Sequence, residues 1–255
     1  GGCGAVKGDT SRDRGRIMEL EGLKEKVVVV TGAAGNLGAA CARVLREAGA
    51  QLVLVDHSLD RLTALVPDWA PSHVLANGVD LAAAHAAGAV ARAVLDRFGR
   101  VDALVHTVGG FAGGKPAWEA DESEWDRMLA LNLRTTVNAV RAFVPPMVAR
   151  RSGRVVAVGA RAGLQGMANF AAYSASKAAL LRLMETLAAE LRDCGVTANC
   201  VLPSILDTPQ NRAAMPGADF TRWVAPEQVA GAAAFLLSDA GRDISGAAIP
   251  VYGRA

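Results

Sequence analysis

The chain has 255 residues, of which 51% are hydrophobic and 20% charged, and its formal net charge is +2. This length and composition suit one packed α/β domain with a large core and exclude a disordered chain. A charge so near zero, without a basic cluster, argues against a nucleic-acid partner; no apolar run reaches the roughly 20 residues that span a bilayer, so no membrane partner is expected either.

In chain order, residues 1–20 are rich in glycine and charge and lack the apolar stretch of a secretory signal, so they read as a flexible tail. Within it Met18 is a candidate natural start. Residues 21–255 read as a single domain. Short apolar runs at 27–30, 51–55, 73–76, 101–106, 154–158, 196–201 and 247–251 predict strands. Ala- and Leu-rich stretches at 37–48, 82–98, 123–150, 170–193 and 226–238 predict helices between them. Runs that are continuously apolar rather than alternating belong to strands covered on both faces, and the β-α-β rhythm predicts a doubly wound parallel sheet with helices on both faces. Residues 207–225, with two prolines and a glycine, break the rhythm and predict an inserted lid. Cys3, Cys41, Cys194 and Cys200 form no CxxC pair, and His57, His73, His85 and His106 are scattered, so no metal site is expected. Free cysteines of this kind fit a reducing cytoplasm.

The first strand runs into TGAAGNLG at 31–38. Gly32 permits a tight turn, Gly38 permits close helix–strand packing, and the helix N-terminus between them offers N–H groups to a pyrophosphate. Asp56 ends the second strand, where a carboxylate accepts from ribose hydroxyls and repels a 2′-phosphate. NAD(H) is therefore favoured over NADP(H). Further on, Tyr173 and Lys177 in YSASK stand four apart, on one face of a helix. An ammonium beside a phenol lowers its pKa from about 10 toward working pH, as a proton donor in a redox reaction requires.

TGAAGNLG, the Asp80–Leu81 pair, Asn132 in LALNLRTT and YSASK, in this order, resemble the short-chain dehydrogenase/reductase family over residues 23 to 253. The resemblance implies a Rossmann fold of about seven parallel strands, a small-molecule substrate, and a homodimer or homotetramer built on the long helices containing Asn132 and Tyr173. It implies that Tyr173 transfers the proton, that Lys177 tunes it and binds the nicotinamide ribose, and that Asn132 supports a water relay. It places Gly32, Asn36, Leu37, Gly38, Asp56, Asp80, Leu81, Gly109, Tyr173, Lys177, Pro203 and Thr208 along the cofactor, with Asp80–Leu81 at the adenine and Thr208 at the nicotinamide amide.

The sequence departs from the family pattern in several places. Asn36 replaces the middle glycine of the turn, where tolerance of left-handed geometry would let the turn survive. The usual NNAG reads His106-Thr107-Val108-Gly109, and the usual PG reads Pro203-Ser204. The catalytic serine position is Ala160. GGFAGG at 109–114, GARAGL at 159–164 and LDTPQNRAAMPGADFTRW at 206–223 resemble the quinonoid dihydropteridine reductase branch, which also lacks that serine. Losing one donor to a developing oxyanion costs about 10²–10³ in rate. The expected activity is therefore reduction of a quinonoid, C=N or conjugated carbonyl compound, which gathers less charge on one oxygen. The alternatives are an ordinary ketone or alcohol dehydrogenase in which Thr107, Ser204 or a water replaces the serine, and a catalytically silent NAD(H)-binding regulator. In the lid, Met215, Phe220 and Trp223 are expected to cover a flat substrate and Arg212 to bind an acidic or carbonyl group.

Overall fold

β1 (Val27–Thr31) is VVVVT, and all five residues are buried. Such a strand has no solvent face: Val27 and Val29 enter one hydrophobic core while Val28 and Val30 enter the other. β1 pairs in parallel with β2 (Gln51–Asp56) on one side and β4 (Ala103–His106) on the other. With β3 (Val74–Gly78), β5 (Gly153–Val158), β6 (Val196–Pro203) and β7 (Ala248–Val251), they make a seven-stranded parallel sheet ordered 3-2-1-4-5-6-7. The chain reverses direction across the sheet between β1 and β4, which opens a crevice at the C-terminal strand ends. The computed structural model describes residues 20–66 and 74–255. Residues 1–19 of the expected tail, with Cys3 and Met18, and His73 at the start of the expected third strand, lie outside the described residues.

Helices α1 (Asn36–Glu47) and α8 (Pro226–Leu237) cover one face; α3 (Ala86–Phe98), α5 (Thr135–Ala149) and α6 (Ala171–Glu190) cover the other. No helix among the described residues is long and apolar enough to cross a membrane. A short helix missing from the sequence reading, α2 (Leu59–Leu65), starts where the Ser58 side chain accepts from Arg61 N. The helix expected from residue 82 begins only at Ala86. Asp80 holds a turn first, its Oδ1 accepting from Ala82 N at 2.9 Å, and Asn138 Nδ2 donates to the Leu81 carbonyl at 2.8 Å. The helix expected at 123–150 is divided into α4 (Glu122–Leu129), a π-turn at Ala130–Arg134, and α5. That extra residue turns Asn132 inward, and its side chain is fully buried.

His106, at the end of β4, ties this π-turn to the sheet. Its ring is 1% exposed, with Nδ1 2.8 Å from Thr31 Oγ1 and Nε2 3.3 Å from Thr135 Oγ1. Thr135 Oγ1 gives its proton to the Leu131 carbonyl at 2.6 Å, so it can only accept from the ring. The imidazole is therefore the Nε2–H tautomer, with Thr31 donating to Nδ1. Burial, followed by the nearby Lys177 charge, lowers its pKa from 6.5 to about 3. The folded state thus refuses a proton that the unfolded chain accepts near pH 6.5. Its contribution to stability is complete above that pH and is lost as pH falls toward 3, by at most about 1.4 kcal/mol per pH unit. Urea unfolding between pH 7 and 4 should show this loss, and His106→Asn should flatten it; an unchanged slope in the variant would remove His106 from the acid sensitivity.

Candidate functional site

The turn after β1 is shaped by two glycines for different reasons. Gly32 has φ +69°, and a Cβ there would stand 2.8 Å from Thr107 Oγ1. At Gly38 a Cβ would lie 2.1 Å from the Gly32 carbonyl oxygen, so the first turn of α1 can close on the loop only without a side chain. Asn36 does not adopt the left-handed geometry expected of it. It is the first helical residue of α1, after Gly35 at φ −76°, and needs no glycine there. Its side chain turns aside, Nδ2 donating to Gln210 Oε1 at 2.9 Å. No side chain caps the N-terminus of α1, which leaves its N–H groups available to an anion. Leu37 is buried beneath this turn.

Asp56 lies beside the same loop. Oδ2 accepts from Ala34 N at 3.0 Å, and Oδ1 accepts from Ser58 N at 3.3 Å with His57 Nδ1 2.9 Å away. A carboxylate has about four acceptor positions, so one on Oδ2 remains for a ribose hydroxyl. Arg61, absent from the sequence reading, clamps the same loop by donating to the Ala34 carbonyl at 2.6 Å. Asp80 is exposed at its turn while Leu81 is buried. The dinucleotide features expected at the strand ends therefore converge on one crevice, and the residues present fit such a group.

At the other end of the crevice, Asn132 is fully engaged. Its Oδ1 accepts from Gly110 N at 2.9 Å and its Nδ2 donates to the Gly110 carbonyl at 3.1 Å, closing an amide pair. Nδ2 also reaches Ser176 Oγ at 2.9 Å, and Ser176 donates to the Tyr173 carbonyl at 2.8 Å. Ser176 went unread in the sequence, although its place in YSASK, three residues after Tyr173, is the signal that could have found it. Gly109 fills the narrowest point: a Cβ there would be 2.9 Å from Asn132 Oδ1 and 3.2 Å from Lys177 Nζ.

Lys177 is buried and its Nζ donates to the Val158 carbonyl at 2.9 Å. Burial lowers its pKa from 10.5 to about 8, with the neighbouring Cys200 opposing the shift. Tyr173 departs from expectation. Burial raises its phenol to about 12 instead of the lysine lowering it. Aromatic rings stand beside it: Phe111 meets the Tyr173 ring edge-on with centroids 4.9 Å apart and stacks on Phe170 at 4.9 Å. Gly114 N donates to the Asn169 carbonyl at 2.7 Å, joining the two loops that carry these rings.

Ala160 is extended, buried and without a donor at the end of β5. Both hydroxyls considered as substitutes are committed elsewhere. Thr107 Oγ1 donates to the Thr31 carbonyl at 2.7 Å, and Ser204 Oγ donates to the Tyr252 carbonyl at 2.6 Å. The lid is α7 (Pro209–Ala214) followed by a short 3₁₀ turn, Phe220–Arg222. Thr208 is buried and caps α7, its oxygen accepting from Asn211 N at 3.2 Å. Pro203 closes β6 opposite Val251. Arg212 is not free to meet a substrate acid as expected: it forms a fork with Asp207 at 2.5 and 2.7 Å and lies over the Phe220 ring. Phe220 and Trp223 pack on each other, while Met215 remains exposed. Among the described residues, no three His, Cys, Asp or Glu side chains converge as metal ligands.

Comparison with known proteins agrees with this geometry. The family model described as short chain dehydrogenase matches residues 26–218. The chain is 33% identical to D-threitol dehydrogenase of Mycolicibacterium smegmatis, over 91% of this chain and 93% of that protein. It is also 33% identical to acetoacetyl-CoA reductase of a Synechocystis strain, over 85% and 90%. A solved 3-ketoacyl-(acyl-carrier-protein) reductase from Brucella melitensis, complexed with NADH, is 26% identical and superposes with a TM-score of 0.82, covering 91% of this chain and 98% of that one. A Rossmann-type sheet, a glycine turn under an uncapped helix, and Tyr173 with the buried Lys177 on one helix thus occur in a chain that belongs to the short-chain dehydrogenase family of oxidoreductases.

Proposed function

We propose that the chain is an NADH-dependent reductase of a small planar substrate with a conjugated carbonyl or C=N group, of which a quinonoid ring is one form. The observation that carries this reading is that the side-chain hydroxyls considered for the site reduce to Tyr173. Ala160 has none, and those of Thr107 and Ser204 are spent on backbone carbonyls. A conjugated acceptor spreads its developing charge and depends less on a second donor than an isolated ketone does. Phe111 and Phe170 supply an apolar, aromatic wall suited to a flat ring. The three loop segments that resemble the dihydropteridine reductase branch point the same way, although none of the relatives named above carries that activity.

A bound reduced nicotinamide supplies a hydride to the substrate carbon. Tyr173 Oη delivers the proton to the substrate oxygen or nitrogen. With its phenol pushed up to about 12, it carries that proton at neutral pH and can deliver it only to an atom that becomes strongly basic as hydride arrives. Lys177 places its positive charge beneath the crevice and, with Gly109, shapes the ribose position. Asn132 holds the Gly110 backbone and, through Ser176, the first turn of α6. Asp56 would take a ribose hydroxyl, while Arg61 holds the loop beside it through the Ala34 carbonyl. A second reading, a ketone or secondary-alcohol dehydrogenase, draws on the names of the relatives and requires a water as the second donor. Retention of Tyr173, Lys177 and Asn132 stands against a silent regulator.

Four expectations follow from this reading. Fluorescence titration should give tighter binding of NADH than of NADPH, and Asp56→Ser should narrow or invert the difference by about tenfold, because it removes the carboxylate that would face a 2′-phosphate. Equal binding in the wild type would remove Asp56 from cofactor choice. Tyr173→Phe should lower turnover by about 10³ or more and change NADH affinity by less than about threefold. Ala160→Ser should speed reduction of isolated ketones and leave conjugated substrates nearly unchanged; a wild type that reduces simple ketones rapidly and ignores the added hydroxyl would favour the second reading. Finally, assembly through α4–α5 and α6 should give a dimer or tetramer in sedimentation at micromolar concentration, and a monomer would contradict it.

A further inference from the structure

Asn138 is a buried polar side chain to which the proposed reaction gives no task. It stands on α5, beyond the π-turn that carries Asn132, and is 6% exposed. Its Nδ2 donates to the Leu81 carbonyl at 2.8 Å and reaches the Ala82 carbonyl at 3.3 Å. Buried amides are normally engaged, and a simple brace of loop against helix would satisfy these two carbonyls and do nothing more. The other side of the same peptide gives the bond a further consequence.

The peptide between Leu81 and Ala82 is held from both ends. Its carbonyl accepts from Asn138, and its N–H, that of Ala82, donates to Asp80 Oδ1 at 2.9 Å. A trans peptide turns as one plane, so fixing the carbonyl toward α5 aims the N–H the opposite way, at Asp80. Asp80 is exposed, and with Oδ1 committed its Oδ2 has no partner among the described residues. Leu81 N likewise makes no hydrogen bond among them. An open acceptor and an open donor therefore stand on consecutive residues. That pair matches an exocyclic amino group beside an unprotonated ring nitrogen, as on adenine. The segment is also tied to the ribose end, for Val79 N donates to the Asp56 carbonyl at 2.6 Å.

We infer that Asn138 is a positioning residue for the adenine end of the cofactor: through the 81–82 peptide it holds Asp80 so that Oδ2 and the Leu81 N–H meet an adenine edge. The inference rests on the reading that an adenine dinucleotide occupies the crevice, and adds to it a residue buried behind the ligand. Asn132 acts on Gly110 from the π-turn that leads into α5, so one helical stretch braces both ends of the crevice.

The test is a fluorescence titration of the full chain with NADH and with its hypoxanthine analogue. In the analogue a carbonyl oxygen replaces the adenine amino group, and the neighbouring ring nitrogen carries a proton. The wild type should bind NADH about tenfold more tightly, because the analogue turns both partners into mismatches. Asn138→Leu, of similar volume, should reduce that preference to about threefold or less, chiefly by weakening NADH. Asp80→Ala, at an exposed position, should do the same, and adding Asn138→Leu to it should reduce the preference no further. Asn138→Ser keeps a donor too short to span both carbonyls; it should give an intermediate preference, and it replaces the leucine variant if that one does not fold. A purely structural asparagine would lower both affinities by one factor and leave the preference unchanged. That result, with the preference still lost in Asp80→Ala, would overturn the role of Asn138 and spare the adenine site. A wild type that binds both dinucleotides alike, or neither, would sink the inference together with the placement of adenine at Asp80.

Discussion

The buried ammonium of Lys177 constrains everything around it. A lysine taken out of water without a carboxylate partner is costly, and the Val158 carbonyl alone accepts its hydrogen bond at 2.9 Å. Its pKa falls to about 8 as a result, close enough to neutrality for small changes nearby to matter. The neighbours respond in kind. Gly109 cannot carry a side chain, because a Cβ would press on Nζ and on Asn132 Oδ1. His106 must remain neutral, since a second buried cation would add repulsion to desolvation. Its fixed tautomer then braces the π-turn from which Asn132 reaches Gly110.

An apolar cover begins where this clamp ends. The amide pair sets the backbone of Gly110, and the next residue, Phe111, falls edge-on against Tyr173. A network that begins at a buried lysine and histidine therefore finishes as an aromatic wall on the acid group. Burial keeps the phenol protonated at neutral pH. Polar positioning behind the tyrosine and apolar cover in front of it act together.

The sheet also separates two kinds of chemistry. At the C-terminal strand ends, Ala34 N donates to Asp56 and Arg61 holds the Ala34 carbonyl, while the N–H groups at the start of α1 stay open. At the N-terminal ends of β5 and β6, by contrast, Arg154 Nε and Thr197 Oγ1 are buried without a partner. A strand exposes its polar termini at both edges of a parallel sheet. Helices cover the faces but not the edges, and ligand sites gather at the C-terminal edge.

Much was legible in the chain itself. Continuous valine runs specify strands buried on two faces, and the order of turns and helices between them specifies a parallel, doubly wound sheet, because no other arrangement covers such strands. Gly32, Gly38, Asp56, Tyr173 and Lys177 could be named because their chemistry is local: a turn, a helix terminus, a strand end and an i, i+4 pair. The roles that depend on distant neighbours could not be read. Asn36 was expected to tolerate a left-handed turn, but the turn closed at Gly35 and made it helical. Arg212 was expected to meet substrate and was taken by Asp207. Thr107 and Ser204 have hydroxyls in the sequence, and only packing shows that backbone carbonyls occupy them. The same holds for the Tyr173 phenol, whose pKa was expected to fall and instead rises. The lysine four residues on was visible, but the burial of the ring depends on distant parts of the chain, among them Phe111, which meets it edge-on. By itself, then, the sequence determined the parallel doubly wound sheet, the glycine turn after β1 and the helix that carries Tyr173 and Lys177. Tertiary structure decided which donors remain free and which charges are desolvated, because both depend on neighbours that only folding brings within hydrogen-bond distance.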